Sequence, residues 1–182
     1  MTTERSRLAE PTKWNPASSS VRFHHGLYEV HLPVTDMGRA IDFYVEKLAF
    51  ELGFGGKGES STLLLYTNGE TRWMLGLFRV NTVVHRHAAE YHVSFRVAEE
   101  DVDRMIPYLR GRGIEPLHPP TAPVKGPMNE PIVHGWMPAA AVFFKDPDGH
   151  LLELIAELTD APRPEFLYRP LSEWRSLTSR SA

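Results

Sequence analysis

The sequence predicts an α+β fold built from two copies of one β-α-β-β unit. Three observations predict it: an internal repeat, a hydrophobic period that switches from two to about 3.6 inside each copy, and hairpin-turn dipeptides at matching places. The first copy opens LYEVHLPVTDMGRAIDFYVEKLAFELGF and the second opens YHVSFRVAEEDVDRMIPYLRGRGIEPL. Aligning His31 with His92 sets an offset of 92 − 31 = 61. Ile41 then falls on Val102, Tyr44 on Met105 and Leu48 on Leu109, with Gly53 one residue from the position of Gly113.

The opening strand of each copy alternates. Tyr28, Val30, Leu32 and Val34 share one side, with Glu29, His31 and Pro33 on the other. In the second copy Tyr91, Val93, Phe95 and Val97 share a side, opposite His92, Ser94 and Arg96. Side chains alternate across a strand, so both histidines point away from the helix-packing side.

The helices follow from Ile41, Tyr44, Val45 and Leu48, and from Val102, Met105, Ile106 and Leu109, at helical spacing. Thr35 or Asp36 is the expected N-cap of the first. Pro107 predicts a kink or a shifted start in the second, because an interior proline removes a hydrogen bond. Each helix is expected to leave through a glycine. Strands are expected over 62–66 and 72–80 around Asn68-Gly69, and over 140–145 and 151–156 around Asp148-Gly149.

One domain is expected over 23–159, with module one at about 26–80 and module two at about 89–157. Residues 1–22 read as a flexible arm, and 116–138 as a Pro- and Gly-rich insertion of the lid or binding-loop kind. The tail 160–182 has three prolines but also Phe166, Leu167, Tyr168, Leu171 and Trp174, and is expected to pack on the domain or on a partner subunit.

Composition excludes several classes. A net charge of −3 with no Lys/Arg stripe offers nothing to nucleic acid. The longest apolar runs are too short to span a bilayer, and the N-terminal residues lack the apolar segment of a secretory signal, so cytoplasmic residence is the expectation. There are no cysteines, so any metal must sit on imidazole and carboxylate groups.

The repeated module, a histidine in each opening strand, and the closing FFKDPDGHLLELI resemble the vicinal-oxygen-chelate superfamily over about residues 26–157. That group includes glyoxalase I, fosfomycin-resistance enzymes, extradiol dioxygenases and bleomycin-binding proteins. The resemblance implies two βαβββ modules forming a curved mixed sheet around a metal cavity. It implies His31, His92 and Glu153 as ligands of one divalent ion (Mn, Fe, Zn, Ni or Co), a small-molecule substrate and a homodimer. The chemistry of these donors agrees, since two histidines and a carboxylate suit such ions and leave positions open.

Glyoxalase I carries a further carboxylate in the last long strand of module one. Here Trp73 to Leu77 supply none, and no Asp or Glu occurs from 71 through 89, which argues against lactoylglutathione lyase activity. Pro33 stands where fosfomycin enzymes have threonine, and Phe143 where extradiol dioxygenases have tyrosine. The expectation is a metal-dependent enzyme acting on a small oxygen-rich molecule by lyase, isomerase, ring-opening or dioxygenase chemistry. The alternative is a metal-free protein that binds an antibiotic or other small molecule.

His134 and Arg96 are candidate catalytic groups, and Trp136, Met137 and Phe143 candidate substrate contacts. His24 and His25 are alternative ligands. His85, His87 and His118 read as surface residues, and His150 as structural.

Overall fold

The computed structural model describes residues 27–58, 61–68, 71–82, 89–120, 122 and 126–179. The expected N-terminal arm, His24, His25, His85, His87 and the tip of the 68–71 turn lie outside these residues.

Module one runs β1 (Glu29–Val34), α1 (Met37–Ile41) widening into a π-type turn over Asp42–Lys47, β2 (Glu51–Phe54), β3 (Ser61–Asn68) and β4 (Thr71–Arg79). Its sheet has the order β1-β4-β3-β2, with β1 parallel to β4 and the other pairs antiparallel. Module two runs β5 (His92–Arg96), a 3-10 stretch over Glu99–Arg104, α2 (Met105–Arg110), β6 (Ile132–His134), β7 (Ala139–Lys145) and β8 (Leu151–Glu157). Its sheet, β5-β8-β7-β6, repeats the first and gains a fifth strand, β9 (Arg169–Pro170), before the closing helix α3 (Leu171–Thr178). Among the described residues no helix is long and apolar enough to cross a membrane.

Local chemistry explains the elements. Asp36 caps α1, its carboxylate accepting from the Arg39 N–H at 2.9 Å. Pro107 sits in the first turn of α2, where its missing N–H costs nothing, because the chain uses 3-10 geometry until Arg104. The start of the α-helix is therefore shifted past the periodic residue Val102. The exit from the first helix differs from expectation. Gly53 lies within β2, and the left-handed residue is Ala49, with φ of 61°. Gly113, with φ of 66°, does mark the exit from α2. The insertion is not wholly irregular, since β6 forms inside it and occupies the place of β2. The tail adds β9 to β6 and buries Trp174 completely, its indole N–H donating to Asp160 at 2.7 Å.

One core joins the modules. Leu32, Val34, Met37, Ile41 and Tyr44 pack with Leu64 and Leu77, and continue into Met105, Leu109, Phe144 and Leu152. β1 and β5 are the outer strands of their sheets and are stitched together by His150. Its Nδ1 accepts from the Tyr91 N–H at 3.1 Å, and its Nε2–H donates to the Pro33 carbonyl at 2.8 Å. The DPDG turn adds three more links. Asp148 accepts from the Thr35 backbone N–H at 2.9 Å and pairs with Arg39, while Asp146 accepts from the Tyr44 hydroxyl at 2.9 Å.

Candidate functional site

The side of sheet two away from α2 gathers the site. Ser94 pairs with Glu153 across β5 and β8, and Phe143 pairs with Glu153 across β7 and β8, so all three face the same way. His92 stands one alternate position along. Its Nδ1 donates to the Leu151 carbonyl at 3.0 Å, which leaves the lone pair of a neutral ring on Nε2. That Nε2 lies 3.2 Å from Glu153 Oε2.

Glu153 is nearly buried, its side chain 6% exposed. Burial pushes its carboxyl up, but the His134 imidazole, the Ser94 hydroxyl and His92 outweigh this and hold it below its ordinary value. A carboxylate held toward its ionised form therefore faces an imidazole nitrogen. A positive charge must stand between them, either a ring proton or a metal ion.

His134, on β6, brings its Nε2 to 3.7 Å from the other carboxylate oxygen. This is too long for a hydrogen bond, and His134 Nε2 is a buried atom with no hydrogen-bond partner. A buried carboxylate with imidazoles on two sides, one nitrogen unpartnered, is a donor set that suits a divalent transition ion.

His31 holds the matching place in module one. Its Nε2 is 2.9 Å from Glu29 Oε1, and its ring lies on Phe78 with centroids 4.3 Å apart. Opposite His31 in the β1–β4 register is Gly76, where an added Cβ would stand 2.6 Å from His31 Cδ2. Gly76 is thus what lets the imidazole lie over β4. The register also locates the counterpart of Glu153. Ser94 pairs with Glu153, and its repeat mate Pro33 pairs with Phe78. The equivalent of Glu153 is Phe78, one residue beyond the Trp73 to Leu77 stretch expected, and it too is no ligand. As they stand, no three His, Asp or Glu side chains among the described residues are close enough together to hold an ion. The donors form two groups, Glu29 with His31 and His92 with Glu153 and His134.

The remaining candidates divide. The Phe143 ring stacks beneath His92, with centroids 5.9 Å apart. Trp136 and Met137 lie in the turn between β6 and β7, Trp136 partly exposed. Arg96 points along the same side of β5 but pairs with Glu157 at 2.8 Å, at the open end of the sheet. His118, read as a surface residue, is half-buried instead. Two partners stand outside the sequence expectations: Ser94, whose hydroxyl donates to Glu153, and Tyr168, whose ring packs edge-on against His134 with centroids 5.0 Å apart. Ser94 was legible as the residue two beyond His92. Tyr168 carried no signal, because only the pairing of β9 with β6 brings the tail there.

Between β1, the start of β4 and β5 lies a cavity of about 330 Å³, lined by Tyr28, Glu29, Trp73, Met74, Ser94 and Arg96 among others. Its size suits a small ligand.

Comparison with known proteins agrees with this architecture. No curated protein matches significantly. An integron cassette protein from the mobile metagenome of the Halifax Harbour sewage outfall is 28% identical, covering 72% of this chain and 97% of that one, with a TM-score of 0.55. A lactoylglutathione lyase from Agrobacterium tumefaciens is 20% identical over 74% of this chain and 96% of its own, with a TM-score of 0.52. TnmS3, an antibiotic binding protein from Streptomyces sp. CB03234, is 21% identical over 76% of this chain and 100% of its own, with a TM-score of 0.51. The two last share the fold. The profile of one family covers residues 22–154, both modules through the strand that carries Glu153. With its doubled β-α-β-β-β sheet order and that match, the chain belongs to the Glyoxalase/Bleomycin resistance protein/Dioxygenase superfamily.

Proposed function

We propose that this chain is a metal-dependent enzyme acting on a small oxygen-rich organic molecule, with His31, His92 and Glu153 as ligands of one divalent ion of the Mn, Fe, Co, Ni or Zn group. The observation that carries the reading is the meeting of the His92 Nε2 lone pair with the Glu153 carboxylate at 3.2 Å. A buried carboxylate and a ring nitrogen placed so closely could share a divalent ion in place of the ring proton. When bound, the ion would serve as a Lewis acid toward substrate oxygens.

The chain's own groups would do the rest. The Leu151 carbonyl fixes the tautomer of His92, and the Ser94 hydroxyl donates to Glu153 Oε2 and orients it. His134 stands where it can take or return a proton beside Glu153, and Tyr168 holds its ring. Phe143 forms an apolar floor under His92, and Trp136 and Met137 border the mouth. Arg96 meets an anionic group of the substrate only by leaving Glu157. A homodimer belongs to this reading, supported by the exposed Leu27, Tyr28 and Phe54. Sedimentation showing a monomer at micromolar concentration removes that part.

Binding of an ion to the native state alone raises the unfolding temperature by mass action. Mn2+, Co2+, Ni2+ and Zn2+ are each titrated into chelator-stripped protein. At least one is expected to raise Tm in the parent and none in Glu153→Ala. Equal shifts in both refute the ligand assignment.

A second reading has its own support. The cavity wall is largely apolar, which suits a protein that binds a small apolar or aromatic molecule. Saturable binding of an aromatic ligand indifferent to EDTA favours it.

A further inference from the structure

We propose a separate small-molecule site, independent of the metal reading, that takes an aromatic carboxylate on the α2 side of sheet two. A cavity of about 540 Å³ lies there, between β5, α2 and the end of the first helix, and its size is that of a small-molecule site. None of His31, His92 and Glu153 lines it. Strand parity explains the separation. Phe95 pairs with Leu154 as Ser94 pairs with Glu153, so Phe95 and Leu154 point to the opposite side of the sheet.

The floor is apolar and both modules build it. Phe50, just before β2, meets Phe95 of β5 edge to face, with centroids 5.3 Å apart and planes at 74°. Met105 and Leu154 extend this surface. The Tyr108 hydroxyl donates to the Leu48 carbonyl at 3.2 Å, which fixes α2 against module one and sets the two walls of the cavity. Perpendicular rings offer an aromatic guest both an edge and a face.

The rim is cationic. Arg96, Arg104 and Arg112 line the cavity with one carboxylate, Asp101. Asp101 pairs with Arg104, and Arg96 with Glu157. Arg112 differs. Its guanidinium carbon lies 3.7 Å from the Tyr108 ring centroid, and Nη1 donates to the Tyr108 carbonyl at 3.3 Å. Among the described residues no carboxylate pairs with it. A guanidinium carries five N–H donors in a fork that matches a carboxylate, and stacking on a ring holds that fork in place. Lys47 Nζ, 3.9 Å from where a side chain at Gly113 would begin, adds positive charge beside it. The cavity between β1 and β5 has no such excess, since Glu29 faces Arg96 among its lining residues. An apolar floor beneath a net positive rim fits a flat apolar body that ends in a carboxylate.

The test is calorimetric titration of the full-length chain with naphthoate, and with naphthalenemethanol as its uncharged match. EDTA is present throughout, so a carboxylate bound to a metal ion does not contribute. Circular dichroism checks the fold of each variant. The parent is expected to bind one naphthoate per chain, and the alcohol about tenfold or more weakly. Arg112→Gln is expected to weaken naphthoate about tenfold and to leave the alcohol unchanged, with Arg104→Gln as a second rim variant acting in the same direction. Trp73→Ala, which alters the other cavity, is expected to bind naphthoate as the parent does. The proposal is overturned if the parent shows no saturable binding, if acid and alcohol bind equally, or if both arginine variants keep the parental affinity. Loss of naphthoate in Trp73→Ala overturns it by placing the acid between β1 and β5. Binding that weakens as chain concentration rises overturns it too, because a second copy then fills the cavity.

Discussion

His150 donates through Nε2 to the carbonyl of Pro33 across 2.8 Å, tying the turn before β8 of module two to β1 of module one. Its Nδ1 accepts from Tyr91 N–H at the start of β5, so one buried ring holds both outer strands. His150→Ala strands two backbone groups at once. Each buried unsatisfied group costs about 1–3 kcal/mol. Urea unfolding is expected to show a loss of that order, with metal binding weakened because β1 and β5 lose their common tie. Parental stability in the variant would deny the ring this role.

Tyr44 and Asp146 form the second buried link, at 2.9 Å. Burial pushes the Tyr44 hydroxyl well above its ordinary value, and the charge of Asp146 adds to this. The sign follows. A group whose folded value is raised contributes stability that is whole below the unfolded value, near 10, and is lost as pH climbs from there toward the folded value. The parent is expected to lose stability above about pH 10 more steeply than Tyr44→Phe. Parallel pH profiles would contradict the assignment.

Gly76 is expected to be intolerant of a methyl group. In Gly76→Ala the new Cβ meets His31 Cδ2 and the Phe78 ring, so His31 must move off β4. Overpacking of this kind costs about 1–3 kcal/mol. Divalent-metal affinity is expected to fall beyond what the stability loss explains. Calorimetry on the folded variant measures it, and an unchanged affinity would place His31 outside the site.

Trp174 anchors the tail, wholly buried and bonded to Asp160. Trp174→Ala is expected to cost about 3–5 kcal/mol. It is also expected to free β9 and so withdraw Tyr168 from His134. Amide exchange over 166–178, compared with β7 and β8, checks this. Protection retained in that segment would show that the tail holds without its anchor.

Much of this was legible in the residues because repeat position and strand parity are strong constraints. His31 and His92 at one offset, with Glu153 in the closing strand, placed the donors on the side away from the helices, where they are found. Three things were not legible. The register of β4 against β1 depends on turn lengths, so Phe78 was missed by one residue as the mate of Glu153. β6 hides in a Pro-rich stretch because three residues with no alternation signal form a strand only when β7 and β9 flank them. The partner of His31 is the third, since side-chain direction, and not spacing, turns Glu29 to His31 and Glu90 to Lys145.

The central claim is that His92 and Glu153 hold a divalent ion together with His31. Metal content of the protein, purified without chelator and analysed by mass spectrometry, tests it most directly. About one transition-metal ion per chain is predicted for the parent, with the ion lost from His31→Ala, His92→Ala and Glu153→Ala at unchanged fold. Equal metal in parent and all three variants would contradict it.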